Sequence, residues 1–111
     1  MELNIAVNAL GALAHETRLQ IFRLLVQAGA PGLSVGKIAE ALGIEANGRL
    51  TFHLKELVAA GLIGSRQEGR FVFYSTDYAA MNDLLRYLTE DCCGGLGCQA
   101  IVETCSTEHC A

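Results

Sequence analysis

The chain has 111 residues, of which 51% are hydrophobic and 18% charged, and its formal net charge is −4 at pH 7. This length supports a single domain with its own core, and the hydrophobic fraction excludes an intrinsically disordered chain. The sequence has neither an apolar run of the roughly 18 to 20 residues that a membrane span needs nor a signal-peptide pattern, so we expect a cytoplasmic protein.

Two helices are predicted near the amino terminus. Apolar residues recur at helical spacing in two groups, which are Ile5, Leu10 and Leu13, and then Leu19, Phe22, Leu25 and Val26. Gly11 and residues 14–17 offer the break between these helices. Gly29 and Pro31 predict the end of the second helix, because glycine closes helices and proline cannot continue them.

A third short helix and a fourth, longer helix follow. Ser34 is the predicted cap of a helix from Val35 to Leu42, which Gly43 closes. Asn47 is the predicted cap of the next helix, and Gly61 its end. The apolar stripe of this fourth helix consists of Leu50, Leu54, Leu57 and Val58.

The rest of the chain predicts a hairpin, a last helix and a tail. Residues 62–67 and 70–75 are rich in apolar and β-branched residues and flank a Glu68-Gly69 turn, which indicates a β-hairpin. A last helix is expected from about Asp77 to Glu90, after which helical periodicity stops. We therefore predict an α+β, mainly helical domain over residues 1–91 and a flexible cysteine-rich tail over residues 92–111.

Two short helices followed directly by a hairpin are typical of a winged helix-turn-helix, whose second helix enters the major groove of DNA. The residues predicted to face DNA are Asn47, Arg49, Thr51, His53 and Lys55 on the helix, and Arg66 and Arg70 on the wing. Any one of them could instead lie on an ordinary solvated face, and His53 could be a structural hydrogen-bonding residue. The charge distribution permits DNA binding, because residues 45–70 carry four basic and three acidic side chains, whereas residues 77–111 carry six acidic side chains and one arginine.

Three stretches resemble the ArsR/SmtB family of metal-responsive bacterial repressors. They are H-E-T-R-L-Q-I-F-R-L-L, S-V-G-K-I-A-E-A-L-G and R-L-T-F-H-L-K-E-L-V-A-A-G-L-I, and the similarity extends over about residues 13–74. The resemblance implies a homodimeric repressor, not an enzyme, that binds operator DNA and releases it when a metal or metalloid binds. It also implies a dimer interface built from the first and last helices. The apolar rows that suit this interface, or an intramolecular core, are Ile5, Leu10 and Leu13, and Tyr78, Met81, Leu85 and Leu88.

The effector sites best known in this family are missing from the matching positions. Leu33-Ser34-Val35-Gly36 stands where arsenic-responsive members carry Leu-Cys-Val-Cys, so both thiols are replaced. Ala79 stands where zinc-responsive members carry a histidine. All the cysteines are instead in the tail, at Cys92, Cys93, Cys98, Cys105 and Cys110.

We predict that Cys92, Cys93 and Cys98 bind As(III). Thiolates select thiophilic ions, and As(III), with its lone pair, is satisfied by three thiolates in a pyramid. The glycine-rich link over residues 94–97 is short and lets Cys98 return to the adjacent pair at a low cost in closure entropy. Arsenite repressors of the resembled family carry a vicinal Cys-Cys with a third cysteine a few residues on, which this arrangement resembles.

Other effectors stay open at this point. Sb(III) would use the same three thiolates, and methylarsenite only the vicinal pair. The metal alternative is Cd(II), Pb(II) or Zn(II) bound by four thiolates, which would draw on Cys105 or Cys110, or bound with His109; zinc prefers four ligands in a tetrahedron. A disulfide between the vicinal pair and a later cysteine would make a redox switch. An arsenate reductase is disfavoured because residues 94–97 lack the arginine of an oxyanion cradle, and no organic cofactor or membrane partner is expected.

Overall fold

Five helices and a three-stranded antiparallel sheet make up residues 1–90, which is the part of the chain that the computed structural model describes. In chain order they are α1 (Leu3–Leu13), α2 (Glu16–Ala28), β1 (Leu33–Ser34), α3 (Val35–Leu42), α4 (Gly48–Ala59), β2 (Ile63–Glu68), β3 (Phe71–Thr76) and α5 (Tyr78–Thr89). The α+β, mainly helical fold class is confirmed. No helix within these residues is long and apolar enough to cross a membrane.

The core lies where α2, α3 and α4 meet. Its fully buried side chains include Ile21 and Leu25 from α2, Ile38 from α3, and Leu54 and Leu57 from α4. These three helices are the helix-turn-helix and the helix that supports it, so fully buried side chains fix the position of α4.

The polar caps and glycine ends predicted for α3 and α4 are confirmed. Ser34 Oγ accepts a hydrogen bond from the backbone N–H of Lys37 (3.4 Å), and Gly43 ends α3 in the left-handed conformation with φ 68°. Gly61, with φ 78°, follows α4, and the next residue, Leu62, donates its N–H back to the carbonyl of Leu57 (3.1 Å). This closure fixes the direction in which the chain leaves α4 for the wing.

The sheet has the strand order β1-β3-β2, and its first strand was not predicted. Leu33 pairs with Tyr74, which attaches the start of the helix-turn-helix to the hairpin. Gly32 has φ 70°, and a Cβ at this position would clash with the carbonyl oxygen of Tyr74. Glycine is therefore required for the chain to approach β3 so closely.

Two predicted boundaries need correction. The hairpin turn consists of Gly69 and Arg70, one residue later than predicted, because Glu68 pairs with Phe71. Gly11 does not break the first helix but lies inside α1, and the break is confined to the residues around His15, whose Nδ1 accepts a hydrogen bond from the N–H of Thr17 (3.2 Å). A side-chain cap at α2 therefore marks the start of the second helix.

Candidate nucleic-acid interface

Helix α4 presents one apolar side to the core and one open side to solvent. Leu50, Leu54 and Leu57 are buried, as the apolar stripe predicted, whereas Val58 is partly exposed. Exposed Asn47 precedes the helix, and its Oδ1 accepts from the N–H groups of Arg49 (3.0 Å) and Leu50 (3.2 Å). The same residue that was predicted to face DNA thus also fixes the start of the helix.

The remaining polar residues of α4 differ in their exposure to solvent and in their hydrogen bonds. Arg49 and Lys55 are exposed. Thr51 is half-buried, and its Oγ1 donates to the carbonyl oxygen of Asn47 (3.3 Å). Arg49 and Lys55 are therefore the side chains on α4 best placed to meet phosphates or base edges.

His53 does not face outward as predicted. It is only 7% exposed, and its Nδ1 accepts a hydrogen bond from Nε of Arg18 on α2 (3.2 Å). The imidazole of His15 lies beside it, with a distance of 4.6 Å between ring centroids. Position 53 points between α4 and α2 because it falls next to the leucine stripe on the helix, so His53 joins these two helices.

The surroundings of His53 favour its neutral form. Burial is the largest cause that lowers its pKa, and the positive charge that His15, Arg18 and Arg49 can bring lowers it further, while Glu56 opposes them. The bond from Arg18 requires an unprotonated Nδ1, which agrees with that direction.

The two predicted wing arginines have different environments. One guanidinium nitrogen of Arg66 donates to the carbonyl oxygen of Pro31 (2.9 Å) and to a carboxylate oxygen of Glu68 (3.3 Å). Its guanidinium also lies 5.2 Å from the centre of the Phe73 ring. Arg66 therefore ties the wing to the turn before β1, while Arg70 is exposed at the tip of the hairpin.

One residue on the open side of α4 was missed by the sequence analysis. Phe52 is 51% exposed, and its ring centre lies 6.0 Å from the guanidinium carbon of Arg18. A count of about 100° per residue places it roughly 200° from Leu50, on the opposite side of the helix. Its place on the helix follows from the sequence, but a phenylalanine has no hydrogen-bonding group that would mark it as a DNA contact.

Helices α1 and α5 contact each other and share an apolar surface that residues 1–90 leave exposed. Within α1, alanines face the core and the larger residues Leu3, Val7 and Leu10 are exposed. Of the row predicted for this helix, Ile5 and Leu10 are exposed, and Leu13 is partly buried against the core.

The last helix shows the same division. Leu84 is its buried residue, Met81 packs partly on the core, and Leu85 and Leu88 are exposed. The hydroxyl of Tyr78 donates to the carbonyl oxygen of Val26 (2.8 Å), so the start of α5 is bonded to the end of α2. Two of the four residues predicted for the last helix are therefore exposed within residues 1–90.

The residues of the predicted effector site are not among those that the structure describes. Cys92, Cys93, Cys98, Cys105, His109 and Cys110 all lie outside the described residues. Within residues 1–90, no group of three or more histidine, cysteine, aspartate or glutamate side chains is close enough to hold a metal ion.

A complete helix-turn-helix followed by a hairpin wing makes this protein a winged helix-turn-helix DNA-binding protein. The sequence profile of a family described as "Helix-turn-helix domain" matches residues 13–66. The transcriptional activator HlyU of Vibrio cholerae is 40% identical over 86 residues, which cover 75% of this chain and 76% of HlyU. The solved structure of HlyU aligns with a TM-score of 0.61 at 38% identity over 79% of this chain and 97% of that one.

Two further solved structures are similar. Mb0332 from Mycobacterium bovis, described as a homodimeric winged helix-turn-helix DNA-binding domain of a possible ArsR-family regulator, has a TM-score of 0.62 and 30% identity over 80% of this chain and 82% of that one. A possible transcriptional regulator for arsenical resistance has a TM-score of 0.63 and 28% identity, with 76% and 82% covered. The chain belongs to the ArsR/SmtB family of transcriptional regulators, and it is a regulator and not an enzyme.

Proposed function

We propose that this protein is a homodimeric repressor that binds operator DNA and releases it when As(III) binds Cys92, Cys93 and Cys98. The observation that carries the DNA-binding part is the placement of α4. Its leucines are buried in the core, and Asn47 caps its amino terminus. Arg49 and Lys55 project from it to solvent. Arg70 supplies a further cation at the wing tip.

The dimer is supported by the apolar surface of α1 and α5. Leu3, Val7 and Leu10 are exposed on one helix, and Leu85 and Leu88 on the other. A second copy of the same surface would cover both helices in an isologous contact. Two copies would also place two α4 helices on half-sites about one turn of DNA apart. Mb0332, a relative of known structure, is described as homodimeric.

The arsenic part rests on the sequence and on one relative. The chain has five cysteines, all between Cys92 and Cys110, and thiolate clusters select thiophilic ions. A similar solved protein is named as a possible regulator for arsenical resistance. The resemblance to arsenite repressors with a vicinal cysteine pair favours Cys92, Cys93 and Cys98 as the three ligands.

Contacts within residues 1–90 offer a route from the last helix to α4. Tyr78 on α5 bonds to Val26 on α2, and Arg18 on α2 bonds to His53 on α4. Through these contacts, a shift of α5 or of the dimer interface would change the position of α4, the helix that contacts DNA. We expect a coupling free energy of about 1 to 3 kcal/mol, the usual allosteric size.

Operator release by arsenite tests this function. The reduced full-length protein is titrated against a DNA duplex from upstream of its own gene, with and without As(III). We expect binding in the absence of As(III) and release in its presence. Cys98→Ser should abolish release by As(III), whereas Cys110→Ser, a matched change of one thiol, should leave it intact.

The same assay separates the alternatives. Release by methylarsenite that survives Cys98→Ser would assign the site to the vicinal pair alone. Release by Cd(II) or Zn(II), or by peroxide, in place of As(III) would contradict the arsenic proposal and favour a metal sensor or a redox switch. Because HlyU is named an activator, a reporter gene is needed to decide the direction, and we expect its expression to rise with arsenite.

A further inference from the structure

The open side of α4 carries a large aromatic residue where polar residues are usual. Phe52 is 51% exposed and lies on the side of the helix opposite Leu50. Single exposed hydrophobic residues are common on protein surfaces, so its exposure alone indicates no function. Its position on the helix that enters the major groove is what makes it informative, and this inference therefore rests on the DNA binding proposed above.

Most hydrogen-bonding groups near Phe52 are already engaged within the chain. Asn47 Oδ1 accepts two backbone hydrogen bonds, the hydroxyl of Thr51 donates to a carbonyl, and His53 is buried against Arg18. Arg49 and Lys55 are the exposed basic side chains near Phe52 on α4, and neither makes a side-chain hydrogen bond among the described residues. Recognition by hydrogen bonds alone would thus rest on few groups, which leaves a role for apolar contact.

The surroundings of Phe52 leave its ring accessible and partly held. Gly48 is one turn earlier on the same side of α4, and nothing lies within 4 Å of where its Cβ would be. The Phe52 ring is therefore also more than 4 Å from that point, and the turn beside it is open. Arg18, fixed by its bond to His53, lies at 6.0 Å on one side of the ring.

We propose that Phe52 is a specificity-determining residue that contacts the C5-methyl group of thymine in the major groove. A phenylalanine offers no hydrogen bond, and the thymine methyl is the apolar feature of that groove. Arg49 is three residues earlier, about 4.5 Å along the helix axis, and guanine is the base that arginine prefers. Since bases stack about 3.4 Å apart, each half-site should contain a thymine within about two base pairs of a guanine.

In vitro selection from a random DNA duplex pool, followed by removal of single methyl groups, tests the proposal. The reduced full-length protein without arsenite is used to select a preferred duplex. Each thymine of one half-site is then replaced by deoxyuridine, which lacks only the methyl group. We expect the replacement to weaken binding about fourfold at one of these thymines, the one that Phe52 contacts. This factor corresponds to the burial of one methyl-sized group, about 0.8 kcal/mol.

Two variants separate the contact from a general loss of affinity. Phe52→Ala should bind the thymine and deoxyuridine duplexes equally, while Phe52→Leu, which keeps an apolar side chain, should retain part of the difference. Leu19→Ala removes an exposed apolar side chain of α2 and is the matched control, with the full fourfold difference expected. Thermal unfolding of each variant confirms that the compared proteins are folded.

The outcomes distinguish this inference from the proposed function. A wild-type protein that selects and binds a sequence, but with equal affinity after every deoxyuridine replacement, would overturn the role of Phe52 and leave DNA binding standing. The same holds if Phe52→Ala keeps the fourfold difference. A wild-type protein that selects no sequence would overturn both.

Discussion

Helices α1 and α4 use their apolar residues in opposite ways. In α4 the large side chains Leu54 and Leu57 are completely buried, and the open side carries polar residues and Phe52. In α1 the buried residues are alanines, and the large side chains Leu3 and Val7 are more than half exposed. Both helices are amphipathic in sequence, yet within residues 1–90 α4 buries its leucines whereas α1 leaves most of its large apolar side chains exposed.

The difference indicates two kinds of surface. Close packing of its large leucines fixes the orientation of α4 against the core. A fixed orientation suits a helix whose exposed side has to fit a DNA groove. Small residues let α1 approach the core closely while its large residues stay available for a second molecule. The contrast predicts that substitutions on α4 act on the stability of the fold and that substitutions on α1 act on assembly.

The largest effect is expected in the core of α4. Leu54→Ala should lower the free energy of unfolding by about 2 to 5 kcal/mol, because it leaves a cavity among fully buried side chains. Chemical denaturation at a fixed protein concentration measures the loss. Leu3→Ala is the control on α1, and a loss as large as that of Leu54→Ala would remove the distinction between the two helices.

A charge on the exposed surface of α1 should dissociate the proposed dimer. We expect Val7→Glu to weaken association about 100-fold, because an isologous interface would bury the unpaired carboxylate twice. Sedimentation over a range of concentrations measures the dissociation constant. Leu19→Glu, at an exposed apolar position on α2, should leave association unchanged. If the two variants dissociate equally, the dimer does not form through α1.

Asn47 is exposed at the start of α4 and also caps this helix. Asn47→Ala should cost about 1 kcal/mol in unfolding free energy, because two backbone N–H groups at the start of the helix lose their acceptor. Asn47→Ser keeps a capping oxygen and should restore most of that stability in a thermal melt. A Ser variant as unstable as the Ala variant would show that capping is not what Asn47 contributes.

The smallest effect is expected at mildly acidic pH. The pKa of His53 is held below its ordinary value of 6.5, so the unfolded chain binds the proton more readily than the folded one. Stability from this group is therefore complete above pH 6.5 and is lost as the pH falls through the lowered folded pKa. His53→Gln, which keeps an acceptor for Arg18, should show a flatter dependence of unfolding free energy on pH. If the pH dependence of the variant equals that of the wild type, groups other than His53 cause it.

The helices could be predicted from the sequence because their signals are local. Ser34, Asn47 and Gly43 act on neighbouring backbone groups, so their spacing sufficed to place α3 and the start of α4. Strand β1 could not be predicted in this way. It has two residues and exists only through its pairing with β3, about forty positions further along the chain.

The sequence by itself determined the winged helix-turn-helix and the concentration of all thiols beyond residue 91, because helical periodicity, caps and residue counts need no distant partner. Only the tertiary structure decided which side chains face outward. It buried His53 against Arg18, exposed Phe52, and turned the alanines of α1 inward in place of Leu3 and Leu10. The orientation of a helix depends on what packs against it, and those partners come from other parts of the chain.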